Sequence, residues 1–208
     1  MQKLKAFTLA EILITMGIVG VIAALTVPDL VSDYQNKAMA VKARKSVNDF
    51  ETTLDQYLTA EGKQRFSQTT VITSKNLDSF VKENFRVIKT CSAKSSGCFA
   101  SENYISIDNK TSAKFECSKQ SYILADSSAI CISPAYMGTM YVITNISIDV
   151  NGPAEPNIGG RDMFSFAYGN ILAQKDEVLG GNATNCEKSY TGAGCIAKLQ
   201  QNNWKMDY

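Results

Sequence analysis

The sequence predicts an α+β fold: one long N-terminal helix leading into a head built on an antiparallel sheet. Three observations predict it. Residues 7–28 are almost uncharged and strongly apolar. Apolar side chains then recur every three or four positions from Ala40 to Leu58, and beyond residue 61 short β-rich runs replace that period. With 208 residues, 45% hydrophobic and 20% charged, the chain has the composition of one globular domain plus an attached element, which excludes a disordered or collagen-like polymer.

The first element opens with Lys3 and Lys5 and continues as Phe7-Thr8-Leu9-Ala10-Glu11 and an apolar run from Ile12 to Val27. Between Phe7 and Pro28 the single charge is Glu11. At about 1.5 Å per residue, 7–28 extends about 33 Å, enough to cross a hydrocarbon core of about 30 Å. Basic residues before a first span favour the cytoplasmic side, which predicts a single-pass protein of the cytoplasmic membrane with its head extracytoplasmic. A secretory signal peptide cut near Ala24 is the ordinary alternative. It is opposed by Glu11 within the apolar stretch and by Ile22 at the outer position of the small-x-small pattern. A plain anchor is the other alternative, but it leaves the carboxylate without a partner at a cost of at least about 2.5 kcal/mol near a bilayer centre. Gly17 and Gly20 weaken helical preference or permit close packing in lipid.

Residues 29–60 continue the helix with an amphipathic pattern. Ala40, Ala43, Val47, Phe50, Leu54, Tyr57 and Leu58 form one stripe, opposite Lys42, Arg44, Lys45, Asp49, Glu51 and Asp55. The order of basic then acidic residues suits ordinary intrahelical pairs or contacts between staggered copies. Pro28 is expected to kink the helix, and Glu61-Gly62 to end it.

The head, residues 61–208, is predicted to contain a short helix over Asn76–Phe85, with Leu77, Phe80 and Val81 on one side. Strands are predicted over Tyr104–Ile107, Tyr122–Leu124, Ala129–Ile132 and Met140–Val150. In the last of these, Ile146, Ile148 and Val150 alternate with Asn145, Ser147 and Asp149. Met163–Tyr168, Gly169-Asn170 and Ile171-Leu172 read as a hairpin. Six cysteines lie in this part. They permit 15 pairings; sequence proximity selects Cys91 with Cys98, Cys117 with Cys131, and Cys186 with Cys195. None has Cys-x-x-Cys zinc spacing, so disulfides formed outside a reducing compartment are expected.

With 21 basic and 20 acidic residues there is no broad electrostatic footprint for nucleic acid. Histidine is absent, which removes the usual general acid-base group and the commonest metal ligand. No phosphate loop or nucleophile elbow is present. An enzyme would have to rely on carboxylates such as Asp149 with Asp162.

The run Lys-Leu-Lys-Ala followed by Phe-Thr-Leu-Ala-Glu-Ile-Leu-Ile-Thr-Met-Gly-Ile-Val-Gly-Val-Ile-Ala-Ala-Leu-Thr-Val-Pro, over residues 3–28, resembles the prepilin cleavage and methylation motif of type IV pilins and type II secretion pseudopilins. The resemblance implies a leader of residues 1–6, cut between Ala6 and Phe7 by a prepilin peptidase that methylates the new Phe7 amine. Alanine stands at position 6 where the family more often has glycine. It implies a filament-core helix over 7–28 with Pro28 at its end, and pairing of Glu11 with the Phe7 ammonium of a neighbouring subunit. The implied partners are other pilin or pseudopilin subunits, the peptidase and an inner-membrane assembly platform. The implied destination is a periplasmic pseudopilus or cell-surface filament, against the alternative of an anchored adhesin that does not polymerise. Removal of Lys3 and Lys5 with the leader leaves 19 basic residues against 20 acidic ones.

The segment Asp149-Val-Asn-Gly-Pro-Ala-Glu-Pro-Asn-Ile-Gly-Gly-Arg-Asp162 resembles a loop of many pilin-like heads, some of which bind calcium. Asp149, Asn151 and Asp162 are therefore candidate calcium ligands of the hard-oxygen type. The acidic spacing is not that of an EF-hand. The simpler expectation is a turn closed by local side-chain to backbone bonds. Trp204, after the last cysteine pair, is expected to pack back on the sheet.

Overall fold

A continuous apolar run followed by a three-to-four-residue period gives one helix, α1, which runs from Leu9 to Ala60 with Pro28 inside it. The computed structural model describes residues 8–69, 71, 74–95, 97–137, 141–169 and 176–208. Two compact units result, residues 1–38 and 39–208. In the first, α1 buries nothing: Leu13, Ile14, Val19, Val21 and Leu25 are all exposed. This apolar stretch is long enough to cross a membrane. The hydroxyl of Thr15 donates to the Glu11 carbonyl at 2.9 Å, and that of Thr26 to the Ile22 carbonyl at 3.0 Å. Both polar groups are thus satisfied inside the helix, as a hydrocarbon environment demands.

In the second unit the remainder of α1 turns its predicted stripe inward. Ala40, Ala43, Val47, Phe50, Leu54 and Leu58 are buried and Tyr57 is half-buried. On the opposite face Lys45 pairs with Asp49 at 2.8 Å, one helical turn apart. Six antiparallel strands take the order β1-β4-β5-β6-β7-β8. Their ranges are β1 Val87–Cys91, β4 Ser121–Leu124, β5 Ala129–Met137, β6 Tyr141–Asp149, β7 Met163–Gly169 and β8 Glu177–Leu179. A separate pair joins β2, Tyr104–Ile105, to β3, Ser112–Ala113. Further α-helices among the described residues are α2, Ser74–Asn84, and α3, Cys195–Gln201.

Alternation gives each sheet face its own core. Ile130 and Ile132 stand opposite Ile148 and Ile146, which in turn face Phe164 and Phe166. These residues pack with the α1 stripe and with Leu77, Phe80 and Val81 of α2 in one cluster. Phe50 is its pivot, edge-on to Phe166 and Tyr168 at 6.0 Å. At about 1.5–3 kcal/mol for each large side chain fully buried, this layer is the main source of the head's stability. On the other face Ala129, Cys131 and Met163 pack with Cys91, Cys98, Phe99, Tyr104 and Cys117.

The three disulfides join Cys91 to Cys98, Cys117 to Cys131 and Cys186 to Cys195. Each contributes on the order of 2–4 kcal/mol by restricting the unfolded chain. Trp204 is half-buried on the main cluster, with the Arg44 guanidinium 5.9 Å from its ring.

Several predicted boundaries differ. The strand at Tyr104 stops at Ile105, because the next residues make a tight turn in which the Ser106 amide donates to the Thr111 carbonyl. The strand beginning at Ala129 continues to Met137 through pairing with β6, which tertiary context supplies and local composition does not. The Met163 strand extends to Gly169 and is followed by β8. Met140 and residues 170–172 lie outside the described residues.

Candidate functional site

Two places gather the residues singled out above. The first is the start of α1. Thr8 precedes Leu9, and its amide and hydroxyl both donate to the Glu11 carboxylate, at 2.8 and 2.9 Å. The Glu11 amide donates in return to the Thr8 hydroxyl at 3.2 Å. This is a capping box, a Thr-x-x-Glu arrangement that satisfies amides no helical carbonyl can reach. Glu11 therefore has a partner in its own chain. Ala6 and Phe7 lie outside the described residues. Pro28 sits within the exposed apolar part of α1.

The second place is the turn between β6 and β7. Asp149 and Asp162 are each 0% exposed. The Tyr104 hydroxyl donates to Oδ2 of Asp149, and the Asn151 amide to Oδ1 at 3.1 Å. The amides of Asn157 and Ile158 donate to the two oxygens of Asp162, each at 2.7 Å. Asn151 Nδ2 closes the bend by donating to the carbonyls of Ala154 and Glu155. The turn is then stitched to β2: the Ile105 amide donates to the Asn157 carbonyl at 3.0 Å and the Gly159 amide to the Ile105 carbonyl at 2.9 Å. Gly160 has a φ of +89°, and a Cβ there would lie 2.6 Å from Cys195 Sγ, so both conformation and space require glycine. The Tyr208 hydroxyl donates to the Gly160 carbonyl at 2.9 Å.

Asp149, Asn151 and Asp162 are thus brought together as the sequence suggests, with every carboxylate oxygen already accepting a bond from the chain. That is the geometry of a closed turn. Within the turn, Oδ1 of Asn151 and Oδ1 of Asn157 are buried without a hydrogen-bond partner. Among the described residues no group of three or more Asp, Glu, Cys or His is arranged to hold a metal ion.

Burial pushes Asp149 up to about 8, with the neighbouring Asp162 charge adding to the effect and the Tyr104 bond opposing it. Burial also raises Asp162, against the bonds from Ile158 and Asn157. A carboxyl whose folded value lies above its unfolded value of about 3.9 favours the native state fully below that value, and the advantage is lost as pH rises through the folded value. Head stability is accordingly expected to fall between about pH 4 and pH 8. The check is the denaturant midpoint at pH 5 and pH 9, with Asp149→Asn flattening the difference. An unchanged slope in that variant would assign the pH dependence elsewhere.

Thr8, Tyr104, Asn157 and Tyr208 were not singled out from the sequence. Thr8 had a signal, since it stands three residues before Glu11. Tyr104 had none, because 45 residues separate it from Asp149.

No family model, no curated protein and no solved structure matches this chain. The fold and the two places define its class: an α+β head with three disulfides, carried on a helix whose exposed N-terminal part is long and apolar enough to span a membrane.

Proposed function

We propose that the chain is a structural subunit of the pilin and pseudopilin kind, not an enzyme, cleaved after Ala6 and assembled through its N-terminal helix into a type IV pilus or type II secretion pseudopilus. The observation that carries this reading is Glu11, a carboxylate near the start of an exposed apolar helix. In lipid, an opposite charge on a neighbouring subunit's freed Phe7 amine interacts far more strongly than in water and sets subunit register. Prepilin peptidase and an inner-membrane assembly platform are the partners this requires. The precursor sits in the cytoplasmic membrane with its disulfide-bonded head outside the cytoplasm. Asp149 and Asp162, the carboxylate pair an enzyme reading would use, are both buried and do not meet solvent.

The capping box favours one rival. Since Thr8 already satisfies Glu11, the same chain is suited to an anchored surface protein, such as an adhesin, that never polymerises. Mass spectrometry of the N-terminus in sheared surface filaments separates the two. A methylated Phe7 is expected; recovery of residues 1–6 on the mature surface protein would overturn the filament reading.

A further inference from the structure

A cavity of about 350 Å³ opens on the head between α1, the α2–β1 connection and the β4–β5 turn. Its floor is apolar, made by Phe50, Phe85, Leu124 and Ile130. The Phe50 and Phe85 rings lie 5.9 Å apart and within 23° of parallel. One wall is held in place by a backbone bond from the Ala125 amide to the Arg86 carbonyl at 2.9 Å, which ties the two connections together. The space is therefore preformed, and its volume falls at the small end of the range of ligand pockets.

The charges at its mouth are unequal in partnership. Lys45 lies between Asp49 at 2.8 Å and Asp126 at 3.9 Å, so its charge is already answered. Arg86 also lines the cavity, is exposed, and makes no ion pair among the described residues. An arginine lining a cavity that also holds two aromatic side chains is suited to a planar carboxylate whose apolar body enters the cavity. Asp49 and Asp126 oppose a second negative charge, which favours a monoanion over a phosphate.

From this we infer that the cavity binds a small amphiphilic carboxylate, its head on Arg86 and its apolar or aromatic body against Phe50 and Phe85. This site is separate from the helix start and does not depend on the filament reading.

The test uses the full chain in lipid nanodiscs, with 6-fluoro-2-naphthoate as probe followed by fluorine NMR and empty nanodiscs as the blank. Saturable binding is expected. Arg86→Gln and, separately, the neutral 6-fluoro-2-naphthamide should each weaken it by about tenfold, the scale of a lost charge-assisted hydrogen bond. Lys110→Gln, which removes a distant cation, should leave it unchanged, and Thr53→Phe should block it by filling the space. Thermal melting of each variant checks that the head remains folded. Absence of saturable binding to the folded wild type would overturn the inference, as would equal affinity for the amide or an undiminished affinity in folded Arg86→Gln.

Discussion

Glu11→Val is expected to be cleaved after Ala6 as efficiently as the wild type, yet to yield at least tenfold fewer filaments when it is the only subunit, a deficit that needs little more than 1.4 kcal/mol per contact. On the proposed reading two functions converge on that carboxylate, and substitution separates them. It accepts the Thr8 amide and hydroxyl, and on the proposed reading it also answers the Phe7 ammonium of a neighbour. Glu11→Gln retains an oxygen for Thr8 and lacks the charge. If charge pairing governs assembly, Gln fails as Val does. Filament yield restored by Gln would make helix capping the relevant role, and undiminished yield from Val would remove Glu11 from assembly altogether. Filaments sheared and quantified by immunoblot, beside the processed-to-precursor ratio in membranes, give both readouts.

Asp162→Ala is expected to cost the head about 3 kcal/mol, since it leaves the buried amide of Asn157 and the part-buried amide of Ile158 without acceptors at about 1–3 kcal/mol each, the second at the lower end. The loss reaches further than those two bonds. The Asp162 carbonyl accepts the Val150 amide, and the turn it closes pairs with β2 through Asn157 and Gly159. Asp162→Asn keeps one acceptor and should cost roughly half as much. Denaturant unfolding of the full chain in detergent, followed by tyrosine fluorescence, measures both. A loss below about 1 kcal/mol for Ala would mean that the turn is held by its neighbours and not by this carboxylate.

Much of this architecture was legible because the pattern that encodes it is local. The spacing of Ala40, Ala43, Val47, Phe50, Leu54 and Leu58 is that of one helical face, and those residues are buried. Alternation of Ile146 and Ile148 with Asn145 and Ser147 marks a strand whose two faces meet different surroundings. The pairing of the cysteines followed their proximity.

Other elements carry little local signal. In β1 a bulge lies between Val87 and Lys89, and Ile88 is 67% exposed, so the edge strand shows no clean alternation. β8 has three residues and takes its conformation from pairing with β7. α3 has seven residues and begins at a half-cystine after Gly194, whose φ is +85°, too short for a period to declare itself. The second site was legible as a turn and only partly as a network. Asn151 and Asp162 act within it by short-range bonds, whereas Tyr104 and Tyr208 arrive from distant parts of the chain.

The spacing of the bridges bears on biogenesis. The partners are separated by 7, 14 and 9 positions, and no pair encloses another. Short loops close at little entropic cost, so neighbouring thiols meet sooner than remote ones. On the proposed reading, in which the head is exported N-terminal end first, each cysteine's mate is the next to emerge. Oxidation in that order would then give the native pairs without reshuffling.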